Sequence, residues 1–245
     1  MPAGIFGLKK TYKKQVLDAW PELSEFGYFG GGQPSISTIQ RLDFSNETVS
    51  TPGNDLTQAR GGAAGVSNSN YGYFGGGITV SIIDRLDFSS ETTSAPGTYQ
   101  LTEARGYLTA VSNSNYGYFA GGYDSISVCT IDRLDFSNET IAAPGNYQLT
   151  QARFTSATVS NSNYGYFGGG GDLNPTPPPT YILYCTIDRL DFSNETIAAP
   201  GNYQLTQARA YLTAVSNSNY GYFAGGWPIP HPPTILCTID PFRFL

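Results

Sequence analysis

The chain predicts an all-β fold of about five four-stranded sheets set round a common axis, and three observations carry that expectation. The first is internal repetition: a unit of 45 to 56 residues recurs five times, anchored by "FGYFGGG" at Phe26, "YGYFGGG" at Tyr71, "YGYFAGG" at Tyr116, "YGYFGGG" at Tyr164 and "YGYFAGG" at Tyr220. The stretch "DRLDFSNETIAAPGNYQLTQAR" stands unchanged at residues 132–153 and 188–209. The second is composition, since 14% aromatic residues, 29 glycines and only 13% charged residues describe turn-rich β-structure with little exposed helix. The third is alternation with period two inside the anchors, where Tyr116, Tyr118 and Ala120 share one face and Gly117, Phe119 and Gly121 the other. Short apolar runs between turn signals at this period belong to the blades of a β-propeller rather than to helical solenoids.

The first element is not a blade. Residues 1–25 read as a basic N-terminal extended arm followed by a degenerate first strand, with Val16 to Trp20 standing where an inner strand is expected. Every lysine of the chain, Lys9, Lys10, Lys13 and Lys14, lies within the first fourteen residues, while from Gln15 onward nine arginines stand against nineteen acids, a net of −10. A basic lead on an acidic body docks on acidic surfaces. Lys9, Lys10, Lys13 and Lys14, with the apolar Ile5, Phe6 and Tyr12, are the candidate partner-binding residues. The same segment has a second reading, in which residues Gly4 to Tyr12 supply an outer strand that clasps the last blade to the first.

Residues 26–245 form the five-repeat propeller. In the unit from Arg105 to Gln151, the inner strand is expected over Tyr107 to Val111 and ends in the "SNSN" turn, whose Asn and Ser side chains bond the backbone locally. The second strand is "YGYFAGG", the third Thr130 to Phe136, and "SNET" turns the chain into a short fourth strand at Thr140 to Ala143. "PGNYQLTQAR" leads to the next blade. One such sheet cannot cover both its faces, so blades stack, and closing a ring removes most exposed edges. The pattern breaks at the end, where the chain reaches Leu245 before a fourth strand of the fifth blade.

Up-and-down blades have two unlike sides. One carries the uniform "SNSN" and "SNET" turns. The other carries connections that vary, including two long ones, "GDLNPTPPPTYILY" at residues 171–184 and "WPIPHPPTIL" at residues 227–236, which hold eight of the sixteen prolines. Stiff loops display aromatic side chains at small entropic cost, so Tyr123, Tyr181, Tyr184, Trp227 and His231 are the candidate binding residues of this face. Blades four and five are expected to bring their loops into one patch.

Repeated charges read as scaffolding. Asp84, Asp132, Asp188 and Asp240, and Arg85, Arg133 and Arg189, recur at matched positions and are expected in structural ion pairs or turn caps. The "NET" at Asn46, Asn138 and Asn194 is expected as a turn sequence. Cys129, Cys185 and Cys237 each open "CTID" and are expected as separate buried thiols, too far apart for disulfides. No catalytic or metal-binding constellation is evident. There is no G-x-S-x-G, no H-E-x-x-H and no phosphate-cradling loop, and the body lacks a basic stripe for nucleic acid. No run of 18 apolar residues suggests a membrane span, and the start lacks the pattern of a secretory signal.

At the glycine pairs Gly31/Gly32, Gly76/Gly77, Gly121/Gly122, Gly169/Gly170 and Gly225/Gly226, together with Arg60, Arg105, Arg153 and Arg209, the chain resembles the kelch repeat. The resemblance covers residues 26 to 240. Its phrasing, "SNSNYGYFGGG" and "IDRLDFSNET", also looks like kelch-type virion proteins of tailed phages of marine bacteria. That resemblance implies a non-enzymatic virion structural or adhesion protein, a tail, fibre or capsid-decorating component in a multimeric assembly. The arm would hold virion partners and the loop face would meet protein or host surface. A carbohydrate-binding, lectin-like propeller, extracellular and using Tyr181, Tyr184 and Trp227 as stacking platforms, is the alternative. Kelch-type copper oxidases need several histidines, and this chain holds only His231, so no cofactor is expected.

Overall fold

A computed structural model describes residues 26–97, 99–145, 147–174, 180–228 and 237–244, and they form a five-bladed β-propeller. The first blade contains β1 (Phe26–Gly30), β2 (Ile39–Asp43) and β3 (Thr48–Ser50); the second β4 (Ala64–Ser67), β5 (Tyr71–Gly75), β6 (Ile83–Asp87) and β7 (Thr92–Ser94). The third contains β8 (Thr109–Ser112), β9 (Tyr116–Ala120), a small hairpin of β10 (Tyr123–Asp124) and β11 (Ile126–Ser127), then β12 (Ile131–Asp135) and β13 (Thr140–Ala142). The fourth repeats this order with β14 (Ala157–Ser160), β15 (Tyr164–Gly168), the hairpin β16 (Gly171–Asn174) and β17 (Thr180–Leu183), β18 (Ile187–Asp191) and β19 (Thr196–Ala198). The fifth is β20 (Thr213–Ser216), β21 (Tyr220–Ala224) and β22 (Ile239–Arg243). All pairings are antiparallel, and the three middle blades have four strands while the first and fifth have three among the described residues. The inner strand starts at Thr109 rather than Tyr107, because Tyr107 takes a left-handed conformation with φ of 56°.

Blades stack through knobs and sockets that the repeat itself encodes. The "GYF" phenylalanines Phe74, Phe119 and Phe223 pack on Gly30, Gly75 and Gly168 of the preceding blade, so closely that a Cβ on Gly75 would stand 2.7 Å from the Phe119 ring, while Phe167 shares a core with Ala120. The inner-strand valines Val66, Val111 and Val159 fill the sockets of Gly117, Gly165 and Gly221 in the next blade. The connecting segments complete the layer, with Tyr99 and Leu101 joining Tyr73, Ile83 and Phe119 in one core between the second and third blades. The core is thus a series of interblade layers, each built from residues of two repeats.

Polar groups lock each blade at both ends. Arg60, Arg105, Arg153 and Arg209, all at most 1% exposed, pair with Asp84, Asp132, Asp188 and Asp240 and donate to strand-end carbonyls such as Gly76 O and Gly121 O. Burial pulls the Arg60 and Arg153 guanidinium groups below the usual arginine value, while the neighbouring carboxylates oppose it. Between blades, Glu91 receives Tyr28 and Arg41, Glu139 receives Tyr73 and Arg85, and Glu195 receives Tyr118 and Arg133. The four aspartates, Arg85 and Arg133 therefore form ion pairs, with the two arginine series serving different acids, whereas Arg189 lies over the Tyr164 ring at 4.7 Å. "NET" is a turn, in which Asn46, Asn138 and Asn194 accept from the backbone and hydroxyl of the threonine two residues on. The cysteines are unpaired, but not uniformly buried. Cys129 and Cys185 are half-buried against the core, whereas Cys237 is exposed.

Candidate functional site: the loop face of the third to fifth blades

The candidate site grows out of one backbone irregularity repeated round the axis. Two residues after each buried arginine the chain turns left-handed, at Gly62 (φ 71°), Tyr107 (56°), Thr155 (54°) and Tyr211 (55°). This region is sparsely populated, and for a β-branched residue such as Thr155 it is strained. What holds it is a chain of backbone hydrogen bonds from blade to blade: Tyr107 N–H donates to Gly62 O at 2.8 Å, Thr155 N–H to Tyr107 O at 2.9 Å and Tyr211 N–H to Thr155 O at 3.1 Å. A second set of links joins each glycine pair to the next arginine, with Gly77 donating to Arg105 O and Gly122 to Arg153 O.

This geometry aims large rings outward. Phe154 is nearly buried and forms a hub, with Tyr123 at 5.3 Å, Tyr181 at 5.7 Å in an edge contact and Tyr107 at 6.3 Å between ring centroids. Tyr181 shares a hydrogen bond with Tyr211, and Tyr211 lies 5.3 Å from Trp227. Burial foremost, and then Tyr211, raises the Tyr181 phenol well above its ordinary value, so it stays a neutral donor. Tyr181 is 38% exposed, Tyr211 50% and Trp227 49%. The hairpins that carry the patch brace one another, Leu173 N–H donating to Ser127 Oγ at 3.4 Å.

Of the residues singled out in the sequence, Tyr123, Tyr181 and Trp227 stand in this continuous aromatic surface. Tyr184 is placed differently, its ring under the guanidinium of Arg153 at 5.1 Å. His231 and the segment bearing Ile5, Phe6, Lys9, Lys10, Tyr12, Lys13 and Lys14 lie outside the described residues. Sequence reasoning missed Tyr107, Phe154 and Tyr211. Their signal was available: the two positions after each repeated "AR" read Gly-Gly, Gly-Tyr, Phe-Thr and Ala-Tyr, the variable step in an otherwise uniform stretch.

A cavity of about 520 Å³ opens along the axis, lined by the inner strands and, where the first blade has no described inner strand, by Phe26, Gly27 and Tyr28. Among the described residues no group of three or more His, Cys, Asp and Glu side chains is placed to hold a metal ion. No helix among them is long and apolar enough to cross a membrane.

Comparison with known proteins agrees at the level of fold. No family profile and no curated protein matches the chain. A solved structure, titled "Structure of YjhT", superposes with a TM-score of 0.67 at 10% sequence identity, covering 87% of this chain and 76% of that one. At that identity the likeness concerns architecture, and by architecture the chain is a five-bladed β-propeller.

Proposed function

We propose that this protein is a non-enzymatic interaction propeller that binds a partner through the aromatic loop face of its third to fifth blades. The observation that carries this reading is the surface formed by Tyr181, Tyr211 and Trp227, held on strained backbone that is hydrogen-bonded from blade to blade. Preorganised aromatic area of this kind lowers the ordering cost of binding. The uniform acids and arginines are consumed in locks between and within blades, which leaves them to scaffolding rather than chemistry. The resemblance of the repeats to kelch-type virion proteins supports a structural or adhesion role in a phage particle.

Purified particles analysed by mass spectrometry test the assignment to a virion, and absence of the chain from them rejects it. Tyr211→Ala with Trp227→Ala should weaken attachment to host cells or to the neighbouring virion protein at least tenfold without lowering the thermal transition. Unchanged attachment would overturn the loop-face reading. The tilted, exposed Tyr211–Trp227 pair also favours a second reading, stacking of a sugar ring. A glycan array decides it, and silence of the wild-type protein across the array removes it.

A further inference from the structure

The partly exposed arginines on the strands of this chain sit on aromatic rings. Arg41 lies over Phe26 at 4.5 Å, Arg133 over Tyr116 at 4.6 Å, and Arg85 and Arg189 over Tyr71 and Tyr164 at 4.7 Å. The rings of the loop face differ. Among the described residues no arginine lies over Tyr107, Tyr123, Tyr181, Tyr211 or Trp227, although each ring is at least partly exposed. Tyr211 and Trp227 meet at an angle of 45° and are both about half exposed, so ring surface of each reaches solvent. A guanidinium is planar and weakly hydrated, which suits it to such surface, and tryptophan is the strongest of its ring partners.

The charge on this side has one sign. The connections β3–β4, β7–β8, β9–β12 and β15–β18 carry Asp55, Glu103, Asp124 and Asp172, and among the described residues none of these acids is in an ion pair. Three of them share a connection with a ring of the patch: Glu103 with Tyr107, Asp124 with Tyr123 and Asp172 with Tyr181. The arginines of the loop-side connections are Arg60, Arg105, Arg153 and Arg209, all at most 1% exposed and already paired with aspartates. A cation approaching this side therefore meets open rings and carboxylates with no competing charge, whereas an anion is repelled. An apolar partner would leave the carboxylates without compensation.

We infer that the partner segment received by the loop face is a basic peptide, with an arginine stacked on Tyr211 and Trp227 and its other cations drawn to Glu103, Asp124 and Asp172. This inference rests on the loop-face reading and adds to it the chemistry of the partner. Arginine is favoured over lysine because its flat group covers a ring face and loses less hydration in doing so. The rings give the contact its place, and the carboxylates give it direction and a dependence on salt.

Fluorescence anisotropy on the intact chain tests this with a short labelled peptide of alternating arginine and glycine, and with the same peptide carrying citrulline, which keeps the shape of arginine and removes its charge. The arginine peptide should bind at least about tenfold more tightly than the citrulline peptide. Equal binding of the two, or no binding of either, overturns the inference. Trp227→Leu, which keeps apolar bulk without a ring, should weaken the arginine peptide about tenfold, and Trp227→Phe by a smaller factor. Asp135→Asn, at a turn on the opposite side, should leave the affinity within about twofold, because that charge lies beyond the screening distance. Binding that follows Asp135 and ignores Trp227 is attraction to the acidic body alone and overturns the inference. Displacement of the peptide by a neutral sugar but not by free arginine does so in favour of the sugar reading. Peptide binding is measured on the purified chain and attachment on particles or cells. No peptide binding, together with attachment lost in Tyr211→Ala with Trp227→Ala, therefore rejects the basic partner and leaves the loop-face reading standing.

Discussion

The middle blades and the two end blades are built from nearly the same residues, yet they bury them very differently. Phe119 and Phe167 are 0% exposed, whereas Phe29, at the same place in the first blade, is 59% exposed. Val111 and Val159 are 6% and 5% exposed against 52% for Val215, and Ile131 and Ile187 are 1% and 2% exposed against 63% for Ile239. Among the described residues no hydrogen bond or ion pair joins the fifth blade to the first. Burial in this molecule is therefore a property of having a neighbour, and a repeat contributes half of two cores rather than one whole one. Chemistry follows the same rule. Glu91, Glu139 and Glu195 each gain a tyrosine and an arginine from the preceding blade, but at the arginine position the fifth blade has Pro241, across from Tyr222.

The contrast can be broken or sharpened by substitution. The largest effect is expected from Arg105→Ala, which strands Asp132 as an unpaired buried charge and should cost about 3–5 kcal/mol in chemical unfolding. Arg41→Ala, which opens a partly exposed pair with Glu91, should cost far less, because solvent screens that pair. If the two losses were equal, burial would not be what distinguishes these arginines. Next comes the knob. Phe119→Ala should destabilise by about 3–5 kcal/mol, and Phe29→Ala by no more than about 0.5 kcal/mol. A large loss at Phe29 would show that a neighbour covers it in solution.

A smaller effect belongs to the interblade tyrosines. Tyr118→Phe removes the hydroxyl that donates to Glu195 and should cost about 1 kcal/mol. The same phenols give the molecule an alkaline limit. Burial first, and then nearby carboxylates, raise Tyr28, Tyr99 and Tyr147 to about 12. Since an unfolded tyrosine ionises near pH 10, their contribution is whole below about pH 10 and fades as the pH rises towards 12. Denaturant midpoints that stay level across that interval would contradict this account. Smallest of all should be Val215→Ser, near the surface range of about 0.5 kcal/mol, against at least about 1 kcal/mol for Val111→Ser.

Much of this was legible in the residues. The anchors place all five "GYF" strands, "IDRLD" places the strands that follow them in the three middle blades, and Asx turns built on Asn68, Asn113, Asn161 and Asn217 follow from "SNSN". The site was half legible. Tyr181 and Trp227 announce themselves as aromatics in long loops, whereas Phe154 and Tyr211 sit in short connections that look ordinary until blades are brought side by side. Tyr184 shows the converse, because a loop aromatic next to a buried arginine turns inward to cover it.

Local order here is a consequence of covalent sequence: period-two alternation sets which side chains share a face, and glycine and asparagine set where the chain can turn. Those forces act within a few residues, so they write the blade, its register and its turns. Which phenylalanines are buried, which acid each arginine finds and which rings gather on the loop face are set by contacts between distant parts of the chain, as in the pairing of Tyr28 with Glu91 or Tyr73 with Glu139. Only the curvature of the stacked sheets brings those groups together, and near-identical repeats acquire different roles because they occupy different places in the stack.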